Sequence, residues 1–108
     1  MSMFQQREES FENAFARREE FRFRALARRN KLLGLWVAEK LGASGVDARI
    51  YVDKLVRAAT VKNSGEVVVA RVLEDFTAVG VPLSERQIRR RMGELLKQAI
   101  TEIKTGAS

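Results

Sequence analysis

Ser84 to Ile103 reads S-E-R-Q-I-R-R-R-M-G-E-L-L-K-Q-A-I-T-E-I, and this run decides the fold class. Ser84 with Gln87 three places on has the form of a capping box, in which each residue's side chain satisfies the other's backbone N–H at a helix start. Ile88, Met92, Leu95, Ala99 and Ile103 then recur at steps of three and four, with Leu96 beside them, so they share one helical face. Charged residues fill the opposite face, and Gly106 marks the end. Such a helix exposes a full apolar stripe when alone and must bury it against others.

Moving outward, three more segments offer a complementary stripe. Residues 65–79 are ambiguous by propensity, because Val67, Val68 and Val69 favour a strand. Strict alternation is absent, however, and Val69, Val72, Leu73 and Phe76 fit a helical face, so the segment reads as a helix ending at Gly80. Before it, Ala48, Tyr51, Val52, Leu55 and Ala59 form a stripe over residues 45–61, opened by Ser44 and Asp47. Asn63 or Ser64 stands ready to cap the next helix. The first helix is expected to be long: Phe11, Ala14 and Phe15 give a short apolar face from near Ser10, and its best-defined part, the bundle helix, covers residues 21–41. Leu26, Leu33, Val37 and Leu41 lie on one face there, Leu32 and Trp36 widen it, and Gly42 suits a left-handed cap. Linkers this short favour antiparallel neighbours, so the predicted fold is all-α: a compact four-helix bundle over residues 21–108, with helices near 21–41, 45–61, 65–79 and 85–104. Trp36 and Tyr51 are expected in its core.

Composition limits the chemistry. The 108 residues suit one domain, and the single proline, Pro82, leaves long helices permitted elsewhere. Without cysteine or histidine the chain lacks thiolate nucleophiles, the commonest general base and the commonest transition-metal ligands. Asp and Glu are scattered with no paired constellation, so a non-enzymatic protein without a metal site is expected. Residues 1–7 lack the apolar run of a signal peptide, and no apolar stretch approaches the ~20 residues of a membrane span. A cytoplasmic protein with no membrane insertion is expected, and nothing in the sequence demands more than a monomer. The net charge of +6 points to an acidic partner.

Residues 1–20 differ from the rest. Past Phe11 and Phe15, the run Arg17, Arg18, Glu19, Glu20 offers no core face. This segment reads as an N-terminal arm, frayed when free and helical against a partner. Phe11 and Phe15, one turn apart, are either anchors for a partner groove or a staple onto the bundle. Arg17, Arg18, Arg22, Arg24, Arg28, Arg29 and Lys31 make a dense basic stretch opposed only by Glu19 and Glu20. It reads as a solvated face, as a docking surface for an acidic protein, or, at Arg28, Arg29 and Lys31, as an improvised phosphate contact giving weak ADP or ATP binding. No glycine-rich phosphate loop is present.

One block is specific enough to suggest a family. Ala27 to Gly42, A-R-R-N-K-L-L-G-L-W-V-A-E-K-L-G, resembles the signature of the inhibitory zeta subunits of alphaproteobacterial F-type ATP synthases, long catalogued as a family of unknown function. F-E-N-A-F-A-R-R-E-E-F-R-F-R (Phe11 to Arg24), D-A-R-I-Y-V (Asp47 to Val52) and I-R-R-R-M-G-E-L-L (Ile88 to Leu96) agree with it in order and spacing. The resemblance implies a four-helix bundle whose N-terminal segment inserts into the catalytic sector of the synthase. There it would meet an alpha/beta interface and the gamma subunit and block rotation in the hydrolytic direction. It implies partner contacts at Phe11, Phe15, Glu19, Glu20, Phe21 and Phe23, and a location peripheral to the inner membrane through the synthase. Arg17 and Arg18 depart from the family, which commonly has an acidic residue after the Phe-Ala pair. Two other readings stay open on the residues alone. One is a scaffold bundle without inhibitory activity. The other is a basic nucleic-acid-binding module, disfavoured because no helix-turn-helix signature appears and no exposed aromatics interleave the charges.

Overall fold

Backbone hydrogen bonding organises the chain into four helices: α1 (Met3–Lys40), α2 (Gly45–Lys62), α3 (Gly65–Val79) and α4 (Glu85–Lys104). A computed structural model describes the backbone of residues 3–62 and 65–106 and the side chains of residues 16–59 and 65–106. No strand occurs among the described residues. The valine run of α3 is helical because Val68, Val69, Val72 and Phe76 face the interior together, and that burial outweighs the strand preference of valine. The proposed caps of α3, Asn63 and Ser64, lie outside the described residues.

α1 lies between α2 and α4, and α3 closes the bundle against both of those helices. One core unites all four: Leu33 and Val37 from α1, Leu55 and Ala59 from α2, the four interior residues of α3, and Ile88, Met92 and Leu95 from α4. No polar or charged residue is buried among the described residues. α1 and α2 approach closely at Gly34, where an added Cβ would sit 3.2 Å from the Val52 Cα. Only glycine permits that approach without displacement.

The ends follow local chemistry. α1 stops at Gly42 (φ +81°), with the Ala43 N–H donating to the Ala38 carbonyl at 2.9 Å and the Gly42 N–H to the Glu39 carbonyl at 3.1 Å. This pair of bonds satisfies two carbonyls that the helix leaves over, and it requires the left-handed backbone glycine adopts freely. α3 ends the same way at Gly80. At α4 the capping box is complete: the Gln87 N–H donates to Ser84 Oγ (3.2 Å), and the Ser84 N–H donates to Gln87 Oε1 (2.8 Å). Ser84→Ala removes the acceptor and should lower stability by about 1 kcal/mol in urea titration. Ser84→Asp should restore most of that loss.

One expectation changes in the structure. Trp36 and Tyr51 sit at the margin of the core, half-buried, and not within it. Both rings are amphipathic and keep a polar contact at the rim. Tyr51 donates its hydroxyl to Asp75 Oδ2 at 2.7 Å. Trp36 packs edge-on to Phe76, centroids 5.8 Å apart, and the Arg91 guanidinium lies 5.8 Å over its ring. The first helix is long, as expected, and extends well beyond residues 21–41. α1 starts at Met3, and its 38 residues correspond to about 57 Å at the ordinary helical rise. The longest dimension of the molecule, 63 Å against 25 and 21 Å, reflects that length.

Candidate functional site

Burial along α1 is uneven. Residues 16–20 are all exposed, Phe21 is half-buried, and Ala25 is the first fully buried side chain among the described residues. Among the described residues, 16–24 therefore add no fully buried side chain to the core. Phe11 and Phe15 are on α1, but their side chains lie outside the described residues.

The other expected partner contacts take different positions. Arg17, Arg18, Glu19 and Glu20 face solvent. Phe23 is 65% exposed, an unusual state for a phenylalanine, and joins Glu19, Arg22 and Leu26 around a shallow cavity of about 270 Å³. Phe21, two residues earlier, lies on nearly the opposite side of the helix and is partly covered. Glu19 and Phe23 are thus brought together, and Phe21 is kept apart from them.

Arg28, Arg29 and Lys31 do not converge. Successive residues turn about 100° around a helix, so a consecutive basic run fans out. Arg28 Nε donates to Glu102 Oε1 at 2.6 Å and ties α1 to α4. Arg29 points into a different cleft, a cavity of about 230 Å³ shared with Arg22, Asn30 and Ala59, and it donates to Asn30 Oδ1 at 2.9 Å. Burial holds its guanidinium below the usual value. Lys31 borders a third depression, between α1 and α2.

The arginines of α4 also have structural work. Arg89 pairs with both oxygens of Glu66 (2.9 and 2.7 Å) and with Glu85 (2.8 Å). It thereby links the first turn of α3 to α4. Its bonds to Glu66, then Glu85, push its own pKa up, and the same Glu66 bond holds the Glu66 carboxyl below its ordinary 4.5. Glu102 is likewise held below 4.5, first by the Gln98 amide and then by Arg28. Carboxylates depressed in the folded state contribute stability above their unfolded pKa, and that contribution disappears as pH falls through the folded value. Stability should therefore decline from about pH 4.5 downward. Glu66→Gln with Glu102→Gln should flatten that acid-side slope in urea titrations between pH 6 and 3. An unchanged slope would show that other carboxylates dominate it.

Sequence patterns did not mark one further feature. Leu35, Val46 and Ile50 are large, apolar and 47–65% exposed, all on α1 and α2. They fall off the buried stripes, and their only signal was that they did not fit them.

Among the described residues, no group of three or more acidic, histidine or cysteine side chains is placed to hold a metal ion, and no helix is long and apolar enough to cross a membrane. A helical body whose first helix carries an exposed charged run and an exposed phenylalanine presents a surface of the kind binding proteins use. The family described as ATPase inhibitor subunit zeta matches residues 1–102, and the chain belongs to that family. No curated protein matches the chain.

Proposed function

We propose that the protein inhibits an F-type ATP synthase by inserting the N-terminal half of α1 into the catalytic sector, at an alpha/beta interface and against gamma, so that rotation in the hydrolytic direction stops. Membership in the inhibitor family supports an inhibitory role in general. The observation that carries the finer reading is the exposure of residues 16–20 and of Phe23 on α1, ahead of Ala25, the first buried residue among those described. An isolated helical segment of this length is marginal in water, so contact with the partner stabilises the helical form of the arm. Phe11, Phe15, Phe21 and Phe23 supply apolar contacts there, and Arg17, Arg18, Glu19 and Glu20 supply the polar rim. The protein acts at the cytoplasmic side of the inner membrane, held there by the synthase and not by lipid.

The test is ATP hydrolysis by the purified cognate catalytic sector, titrated with the whole chain and with a peptide from Ser2 to Arg24. Turnover should fall in a saturable manner with the chain, and with the peptide at higher concentration because the peptide is not held helical. Undiminished turnover at saturating protein rejects the proposal. Binding without any change in turnover would identify a scaffold instead.

A further inference from the structure

Arg29 is half-buried with no carboxylate to balance it. Arg28, Arg71, Arg89 and Arg91 each hold a carboxylate of the chain itself. Arg29 holds only the neutral amide of Asn30, whose Oδ1 accepts from its Nε at 3.2 Å and from its Nη2 at 2.9 Å. A guanidinium has five N–H donors, so three are left over, and none of them finds an acceptor among the described residues. Withdrawing a cation from water without a counter-charge is unfavourable, and the penalty shrinks when an anion arrives.

The cavity beside it asks for an acceptor. Arg22, Leu26 and Arg29 follow one another at steps of four and three on α1 and so share one side of the helix. With Asn30 they enclose, against Ala59 and Val68, a space of about 230 Å³. Among the described residues, the polar side chains lining it are donors, apart from Asn30 Oδ1, which Arg29 already occupies. No Asp or Glu is among them. An ionised carboxylate has two acceptor oxygens and no donor, and it matches the parallel N–H groups along one edge of a guanidinium. Leu26, Ala59 and Val68 make the rest of the wall apolar, which suits the methylenes of an acidic side chain. The volume is below the ~300–1,000 Å³ of pockets that enclose drug-sized ligands, so a side chain fits where a whole nucleotide does not.

We propose that this cavity receives an Asp or Glu side chain of the partner protein that takes the arm, with Arg29 and Arg22 clamping the carboxylate and Asn30 holding the Arg29 fork in place. The inference rests on the arm-insertion reading above and names a contact within it. Position supports it. Arg22 and Leu26 also line the depression that carries Glu19 and the exposed Phe23, so the cavity adjoins the stretch of α1 that the arm presents. A protein surface laid along Glu19 to Leu26 therefore reaches it. Arg22 is exposed and Arg29 half-buried, so the incoming carboxylate meets the first in water and the second in drier surroundings, where a charge-assisted bond is stronger. The partner's carboxylate then does for Arg29 what Glu102 does for Arg28.

The experiment compares three variants of the full chain by urea titration and by binding to the immobilised cognate catalytic sector. Arg29→Met keeps the apolar stem and removes the charge. Its affinity should fall by about tenfold or more, while its urea midpoint stays level or rises because an unbalanced charge has left the body. Asn30→Asp supplies the missing carboxylate within the chain. Its midpoint should rise, and its affinity should again fall by about tenfold because the fork is already occupied. Arg90→Met, at an exposed position of α4, should leave affinity within about twofold. Equal weakening by Arg90→Met overturns the inference in favour of general charge attraction. A lowered midpoint in Arg29→Met makes Arg29 a structural residue and also overturns it. Parent-like affinity in both Arg29→Met and Asn30→Asp overturns it while leaving arm insertion intact, whereas failure of the parent chain to bind removes both. Calorimetric titration of the free chain with ADP and with inorganic phosphate covers the other source of an anion. Binding of either that Arg29→Met abolishes would overturn the inference and assign the cavity to a free anion.

Discussion

Phe76→Ala is expected to reduce the unfolding free energy by about 3–5 kcal/mol. Phe76 is fully buried, is the largest of the completely inaccessible side chains, and meets the Trp36 ring edge-on. Truncation removes the transfer free energy of the ring and leaves a cavity between α3 and α1 that helices pinned at several points cannot collapse to fill. Domains of this size have a total stability of about 5–15 kcal/mol, so the variant should be near the edge of folding at moderate urea. Trp36 is the only tryptophan and lies against the altered site, so its fluorescence follows the transition directly. Val79→Ala, on the same helix but exposed, should shift stability by no more than about 0.5 kcal/mol. A loss at Phe76 as small as that at Val79 would mean that the four stripes do not share one core.

That prediction rests on a part of the fold already legible in the sequence. α4 could be read residue by residue, because a capping box, a stripe and a terminal glycine are local signals and the packing agrees with all three. α3 was harder, since three adjacent valines carry a strand preference, and only the spacing to Phe76 decided the matter. The long first helix was legible, but the start of α1 was its least defined part, for a physical reason. A helix is recognised in sequence by the face it buries, and Arg17 to Glu20 bury nothing, yet their backbone continues the helix. Contacts across helices left no trace in the pattern. Arg28 and Glu102 are 74 positions apart, and nothing local pairs them. The candidate site was legible as a charged, aromatic segment without a core face. Arg28, Arg29 and Lys31 border different surfaces, because Arg28 is drawn to Glu102 on α4 and Arg29 lies about 100° round the helix from it. Leu35, Val46 and Ile50 escaped notice because periodicity finds interiors, and an exposed apolar residue is what remains after the interior has been assigned.

Removal of residues 1–20 should abolish inhibition of ATP hydrolysis while leaving the body folded, and the two halves of this expectation have separate physical grounds. The body should survive because every buried residue of the described chain lies at Ala25 or later. The ion pair from Arg28 to Glu102 and the close approach of Gly34 to Val52 also lie beyond the cut. The shortened helix would begin at Phe21, with Arg22 and Arg24 in its first turns. Positive charge there opposes the helix dipole at a cost of about 0.3–1 kcal/mol, too little to unfold the bundle. Urea titration followed by Trp36 fluorescence should therefore give nearly the parent midpoint. Inhibition should disappear because the cut removes Phe11, Phe15 and all of the exposed Arg17–Glu20 run, the contacts that the proposed insertion requires. Residual binding without inhibition would show that the body also touches the synthase. Full inhibition by the truncated, folded body would place the inhibitory contact on the bundle itself and remove the role assigned to the arm.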